Sequence, residues 1–227
     1  MKILKIFVCG LALFAAISCG NASVKSETDG CKNNCVECKN TGCMKDSTCN
    51  KAAENVVIEN ILSRRSIRKY KDQQVPREVL ETIMECGINA PNAMNKQSWE
   101  VRVVDNPEIQ NTIKGVMSAA GGDFGAECFR GAPVWVFIAR DTDFEFSTID
   151  CGLMAENIIL SAHSMGVGSV CLGSPVRMVL DSPEKDKALD ILGFSQGYEL
   201  CICIGLGYPD EAPDAKPRDI TKVKFID

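Results

Sequence analysis

The sequence predicts an α+β domain from residue 52 onward, and three observations carry that prediction. Helical and strand periodicities are mixed along the chain without strict alternation. Two apolar runs, 133–140 and 198–206, are continuous enough to be buried strands. The 227 residues are 45% hydrophobic and 24% charged, ordinary values for a soluble globule with its own core. That composition excludes collagen-like, coiled-coil and multi-span membrane chains.

Asn55 to Leu62 places apolar residues at i, i+1, i+4 and i+5, which predicts a helix with one buried face. Pro76 suits the first turn of a second helix, whose apolar positions are Val79, Leu80, Ile83 and Met84 and which halts before Pro91. Trp99, Val101 and Val103 alternate with their neighbours, so 99–104 reads as a strand. A helix is expected over Pro107–Ala120, ended by a loop at Gly121-Gly122. After the buried strand 133–140 comes a long helix, 147–165, with Gly166 as its C′ residue. Ser169–Leu172 reads as a strand, Glu184–Leu192 as a short helix stopped at Gly193, and Tyr198–Leu206 as the last strand.

Residues 1–18 read differently. Lys2 and Lys5 precede an apolar stretch from Ile6 to Ile17, and small residues follow, as in a secretory signal. That stretch is too short to span a bilayer, which takes about 20 residues. Cys19 after Ala16-Ile17-Ser18 resembles a bacterial lipobox, so lipidation of Cys19 and a lipid anchor to a membrane in the cell envelope are expected. A signal that fails to direct export would instead leave a cytoplasmic protein. Loss of Lys2 and Lys5 with the signal moves the net charge from −5 to −7, and this acidic balance argues against a nucleic-acid partner.

Thirteen cysteines are present, five of them between Cys31 and Cys49. Residues 19–51 hold few core formers, so this tether cannot fold by burial alone. Its spacing, Cys31-x3-Cys35-x2-Cys38-x4-Cys43-x5-Cys49, matches neither a paired CxxC zinc site nor the bacterial ferredoxin run. Disulfides in an oxidising compartment, a zinc or iron–sulfur site on Cys31, Cys35, Cys38 and Cys43, and a thiol relay are the three readings open to it.

Chemistry concentrates in three places within the domain. Arg64-Arg65-Ser66-Ile67-Arg68 puts three guanidinium groups and a hydroxyl past a helix end, and such groups bind phosphate bidentately. Ala90 to Trp99 is a polar loop whose amides can address a heteroaromatic edge. Gly207-Tyr208-Pro209 leaves the last strand, and Lys216-Pro217-Arg218 adds two cations.

In this order the motifs resemble those of the nitroreductase family of flavin enzymes over roughly residues 55–225. Arg64, Arg65, Ser66 and Arg68 match its opening motif, and Ala90, Pro91, Asn95, Gln97 and Trp99 match its second loop. The 150–173 stretch, Gly207-Tyr208-Pro209, Lys216 and Arg218 match the remainder. Asn92, Ala93 and Ser98 depart from the usual pattern. The resemblance implies a dimeric three-layer α-β-α fold around a mainly antiparallel sheet. It also implies an FMN-dependent oxidoreductase taking electrons from NAD(P)H to a small acceptor such as a nitroaromatic or quinone. Arg64, Ser66, Lys216 and Arg218 would then meet the FMN phosphate, Arg65 would support the turn, and Arg68 would face the pyrimidine edge. Pro91, Asn92 and Ala93 would line one side of the ring, with Asn95 and Gln97 reaching across a subunit interface. Val170, Cys171, Leu172 and Gly173 would cover the other side. No side chain need act as nucleophile, since the flavin carries the chemistry.

The remaining titratable residues have plainer roles. His163, the single histidine, is expected on a helix surface. Cys201 and Cys203 alternate and are expected on one side of a buried strand, and Cys86 and Cys151 are expected to pack as small apolar groups. Asp150 is expected to cap or orient the long helix. Two other functions remain open: a non-catalytic envelope lipoprotein binding a metal or partner through its cysteines, and a flavin enzyme of other chemistry such as reductive dehalogenation. An envelope location would also separate the domain from nicotinamide donors, which points to a quinol or a protein as reductant.

Overall fold

The computed structural model describes residues 55–227; the predicted signal 1–18, Cys19 and the cysteine-rich tether 19–51 lie outside the described residues. Ten elements follow in order: helix α1 (Val56–Ser63), α2 (Arg77–Ile88), strand β1 (Trp99–Val104), α3 (Pro107–Ala126), β2 (Val134–Asp141), α4 (Ser147–Ser164), β3 (Gly168–Leu172), α5 (Ser174–Leu180), α6 (Lys185–Leu192) and β4 (Tyr198–Gly207). The strands form one sheet in the order β1-β2-β4-β3, every pair antiparallel.

The sheet separates two cores, and this makes the three layers. On one face Val134, Val136, Ile138, Ile204 and Leu206 pack against Leu80 and Ile83 of α2 and Met154, Ala155 and Ile158 of α4. On the other, Trp135, Phe137, Leu200 and Cys203 meet Ile113 and Met117 of α3, Val179 of α5 and Leu192 of α6. Phe129 stacks on Trp135 at 4.1 Å, and the Trp135 indole N–H donates to the carbonyl of Ala132 at 2.8 Å, so its polar atom is satisfied in the core.

Three expectations need correction, and one helix, α5, was not expected. Helix α1 forms, capped by Asn55 through the amides of Val57 and Ile58, but it buries no residue. Val56 is 75% exposed and Leu62 70%, and α1 is joined to α4 by polar contacts, among them the Asn60 side-chain amide donating to the carbonyl of Leu160. Helix α3 does not end at Gly121-Gly122: Gly122 takes a φ of +56°, a kink open to glycine, and the helix resumes to Ala126. Helix α5 has no counterpart in the sequence reading; seven residues opened by Ser174-Pro175 are too few to show a period.

Cys201 and Cys203 do not share a face. Ile138 pairs with Ile202 and Ala139 with Leu200, so Cys201 is an extra residue in β4, a β-bulge. The bulge reverses the alternation. Cys203 belongs to the core under α3 and α6, while Cys201 packs on the side of α4.

Candidate functional site

After α1 the chain leaves its cap, Arg64, in extended conformation and runs along the edge of the sheet. The Ile67 N–H donates to the carbonyl of Ser169 on β3 at 2.8 Å. The Lys71 N–H donates to the carbonyl of Tyr208, and the Asp210 N–H donates back to the carbonyl of Lys69. Such close approach demands glycine opposite. A Cβ on Gly168 would stand 2.9 Å from Ile67 Cγ1, and one on Gly207 would meet the Pro133 and Tyr70 rings at 2.5 and 2.8 Å. Tyr70 donates its hydroxyl to the carbonyl of Ile67 at 2.7 Å, and burial raises its pKa, so it stays neutral.

The cations gather around this edge. Arg64, Arg65, Ser66, Arg68, Lys216 and Arg218 line a cavity of about 440 Å³. The Arg65 guanidinium folds back onto the carbonyls of Leu62 and Arg64, both at 2.8 Å, which satisfies the end of α1. Arg68 donates its backbone N–H to the Glu211 carboxylate and its guanidinium to the carbonyl of Ser66 at 3.3 Å. The Arg218 guanidinium donates to the carbonyl of Lys216 at 3.0 Å. Ion pairs among the described residues join Arg77 to Asp105, Arg102 to Glu100, Arg140 to Glu199 and Lys187 to Glu184, and none includes these five cations. The cluster therefore keeps positive charge for an anion.

A second cavity of about 370 Å³ adjoins the first and shares Arg64 and Arg65 with it. Its wall includes Ile67, His163 and Ser169. The Ser169 hydroxyl is buried and has no hydrogen-bond partner. An unmet polar atom on a cavity wall is a place for a ligand to donate or accept. His163 Nε2 lies 2.9 Å from the Ser63 hydroxyl, and burial, then Arg64 and Arg65, lower its pKa and favour the neutral ring.

The loop 90–98 is built by different means. Met94, Asn95 and Gln97 have φ of 54°, 51° and 49°, a left-handed conformation unfavourable for residues with a Cβ. Asp150 on α4, 2% exposed, holds them. Its carboxylate accepts from the Ala93 N–H at 3.0 Å and from the buried Ser98 hydroxyl at 2.9 Å. The Asn92 side chain accepts from the Gln97 N–H at 3.0 Å. Within one chain Pro91, Asn92, Ala93, Asn95 and Gln97 do not line either cavity, and neither do Val170, Cys171, Leu172 and Gly173. Val170 points into the domain at 2% exposure, whereas Cys171 is exposed. Burial, then Glu156, raise the Cys171 pKa against the pull of Arg64, which keeps it a thiol.

Residues 61–208 match the model of the nitroreductase family. The chain belongs to that family. Among its relatives, a Methanothermobacter thermautotrophicus protein, by its name one of the NADH dehydrogenase/NAD(P)H nitroreductases, is 32% identical over 178 residues, covering 73% of this chain and 84% of that one. The NADPH-flavin oxidoreductase of Vibrio harveyi is 29% identical, over 72% of this chain and 70% of that one. Among solved structures, a Desulfitobacterium hafniense nitroreductase with bound FMN superposes with a TM-score of 0.70 at 26% identity, covering 76% of this chain and 99% of that chain. This nitroreductase-family chain thus has the three-layer fold, and its opening and closing motifs meet at one cavity although about 150 residues separate them.

Asp150, expected to cap or orient α4, instead holds the 90–98 loop, a role its register with the buried stripe Met154 and Ile158 could have suggested. Two further residues at the site were not expected. Glu211 and the unpartnered Ser169 carry no signal in the sequence, because each depends on what the fold sets beside it.

Proposed function

We propose that this nitroreductase-family protein is an FMN-dependent oxidoreductase that carries hydride or electrons from NAD(P)H, or another donor, to a small acceptor such as a nitroaromatic or quinone. The observation that carries the reading is the cluster of five cations, free of carboxylate ion pairs, around the 440 Å³ cavity. The residues fit the cofactor: a dianionic phosphate needs such unpaired donors, and the Ser169 hydroxyl lacks a partner. FMN supplies the hydride or electron transfer when bound.

The chain's own residues do the rest. Arg64, Ser66, Lys216 and Arg218 would hold the phosphate, and Arg65 fixes the backbone from which Arg64 and Ser66 project. Arg68 would set positive charge beside the pyrimidine edge of a bound flavin. The edge segment and β3 wall the site against water. Pro91, Asn92, Ala93, Asn95 and Gln97 would serve the site of a second copy in a homodimer, and Cys171, Leu172 and Gly173 would cover the opposite side, with Val170 packed beneath them in the core. The bare apolar side chains of α1, together with Phe225 and Ile226 at 87% and 90% exposure, support that pairing.

The full chain is a lipoprotein of the cell envelope in this reading, anchored through Cys19, with the cysteine-rich segment as tether. The basic start, short apolar stretch and cysteine placement support it. Purified full-length protein incubated with FMN and desalted should keep a flavin spectrum and oxidise NAD(P)H or a quinol when an acceptor is added. A colourless protein that leaves all FMN in the filtrate would refute the enzyme reading. Labelling of expressing cells with a radioactive fatty acid should mark the wild type and not Cys19→Ala; equal labelling of both would refute the anchor.

A further inference from the structure

Asp150 stands in the first turn of α4, 2% exposed, and no ion pair among the described residues includes it. A carboxyl group so placed is costly to bury unless its oxygens are hydrogen-bonded. Both are bonded to one loop: Oδ1 accepts from the Ala93 N–H at 3.0 Å and Oδ2 from the Ser98 hydroxyl at 2.9 Å. Ala93 and Ser98 bracket Met94, Asn95 and Gln97, the three left-handed residues, so the carboxylate grips both ends of the strained stretch. Between them the exposed Lys96 ammonium lies 4.3 Å from the centre of the Phe144 ring, a contact weak beside hydrogen bonds to a buried carboxylate. Left-handed backbone at residues with a Cβ persists only where the surroundings impose it. What it displays here is two exposed amide side chains, Asn95 and Gln97, which make no hydrogen bond among the described residues.

We infer that Asp150 is a positioning residue for the flavin site: by clamping Ala93 and Ser98 it holds the Asn95 and Gln97 amides outward, where they meet the ring of an FMN bound to a second copy. This role rests on the flavin site proposed above and belongs to a residue that touches neither FMN nor acceptor. Each amide offers an NH2 donor and a carbonyl acceptor, the complement of a ring edge that alternates carbonyl and N–H. The carboxylate acts through the shape of the loop. Asp150→Asn can keep both contacts, its amide oxygen accepting from the Ala93 N–H and its NH2 donating to Ser98 Oγ once that hydroxyl turns round. Asp150→Ala keeps neither.

A thermodynamic cycle on the full-length protein separates positioning from stability, with the FMN dissociation constant read by fluorescence titration and the urea midpoint read without FMN. Asn95→Ala/Gln97→Ala should weaken FMN binding on the order of tenfold, as expected for losing two neutral hydrogen bonds, with little change in midpoint. Asp150→Ala should weaken binding by a similar factor and also lower the midpoint, and Asp150→Asn should bind within about threefold of the wild type. Added to Asn95→Ala/Gln97→Ala, Asp150→Ala should still lower the midpoint yet change FMN affinity by less than about twofold, because nothing is left to position. Should Asp150→Ala not fold, Ser98→Ala, which frees one end of the clamp, takes its place in the cycle. Unchanged FMN affinity in the folded clamp variant, full additivity with the amide variant, or Asp150→Asn as weak as Asp150→Ala would overturn the role. A wild type that leaves FMN unbound overturns the flavin site as well, whereas FMN bound alike by wild type and clamp variant overturns the role of Asp150 alone.

Discussion

The edge segment 64–71 and the loop 90–98 both follow a helix and both carry polar motif residues, yet they are held in opposite ways. The edge segment is fixed by its backbone, through hydrogen bonds to β3 and to the chain beyond β4, and its cationic side chains are left free of ion pairs. The loop has three residues in left-handed conformation and is fixed by side chains, above all the Asp150 carboxylate. Backbone bonding lets a side chain of the first segment such as Arg64, which makes no hydrogen bond to the segment, change without moving the chain. The second has one main point of attachment.

The sharpest way to break this contrast is Asp150→Ala. It leaves the Ala93 N–H and the buried Ser98 hydroxyl without their charged acceptor, and it should cost about 3 kcal/mol in urea unfolding. A loss below about 1 kcal/mol would show that the loop holds itself. On the other segment, Arg64→Ala should leave unfolding within about 0.5 kcal/mol of the wild type. It should weaken FMN binding by about 10- to 100-fold in a fluorescence titration, the worth of one charge-assisted contact. Unchanged affinity would take Arg64 out of the phosphate site. Gly168→Ala tests the backbone attachment itself, since the new methyl would press on Ile67. It should cost about 1–2 kcal/mol by overpacking, and a neutral result would mean that the edge segment yields easily.

The smallest effect concerns His163. Its folded-state pKa is lowered from 6.5, so below that pH the unfolded chain takes up the proton more readily than the native one. This contribution to stability is intact above pH 6.5 and is lost as pH falls toward the lowered value. His163→Gln should flatten the pH dependence of the melting temperature in that window and leave it unchanged at pH 8. An unaltered slope between pH 5 and 6.5 would show that the ring is fully hydrated.

The sheet was legible because its strands are long apolar or alternating runs: β2 begins within a residue of its expected start, and β4 ends within one. The cation cluster was legible as motifs, and the fold supplied what spacing could not, the meeting of Arg64 with Lys216 and Arg218. What failed was everything that depends on a neighbour. An amphipathic pattern says that α1 has an apolar face but not that this chain provides a cover for it. Two adjacent glycines signal a break in α3, although the chain can pass through one left-handed residue and turn helical again. Period-two alternation cannot reveal that β4 contains a residue its partner strand does not count.

That uncounted residue changes what the strand can tolerate. Were Cys201 deleted, Leu200 would still face Ala139 and Ile202 would still face Ile138, and the ladder would run without interruption. A deletion elsewhere in the paired part of β4 would move its side chains to the wrong layer. Position 201 is thus surplus to the architecture of the sheet, and selection on its chemistry can proceed without disturbing the register on either side.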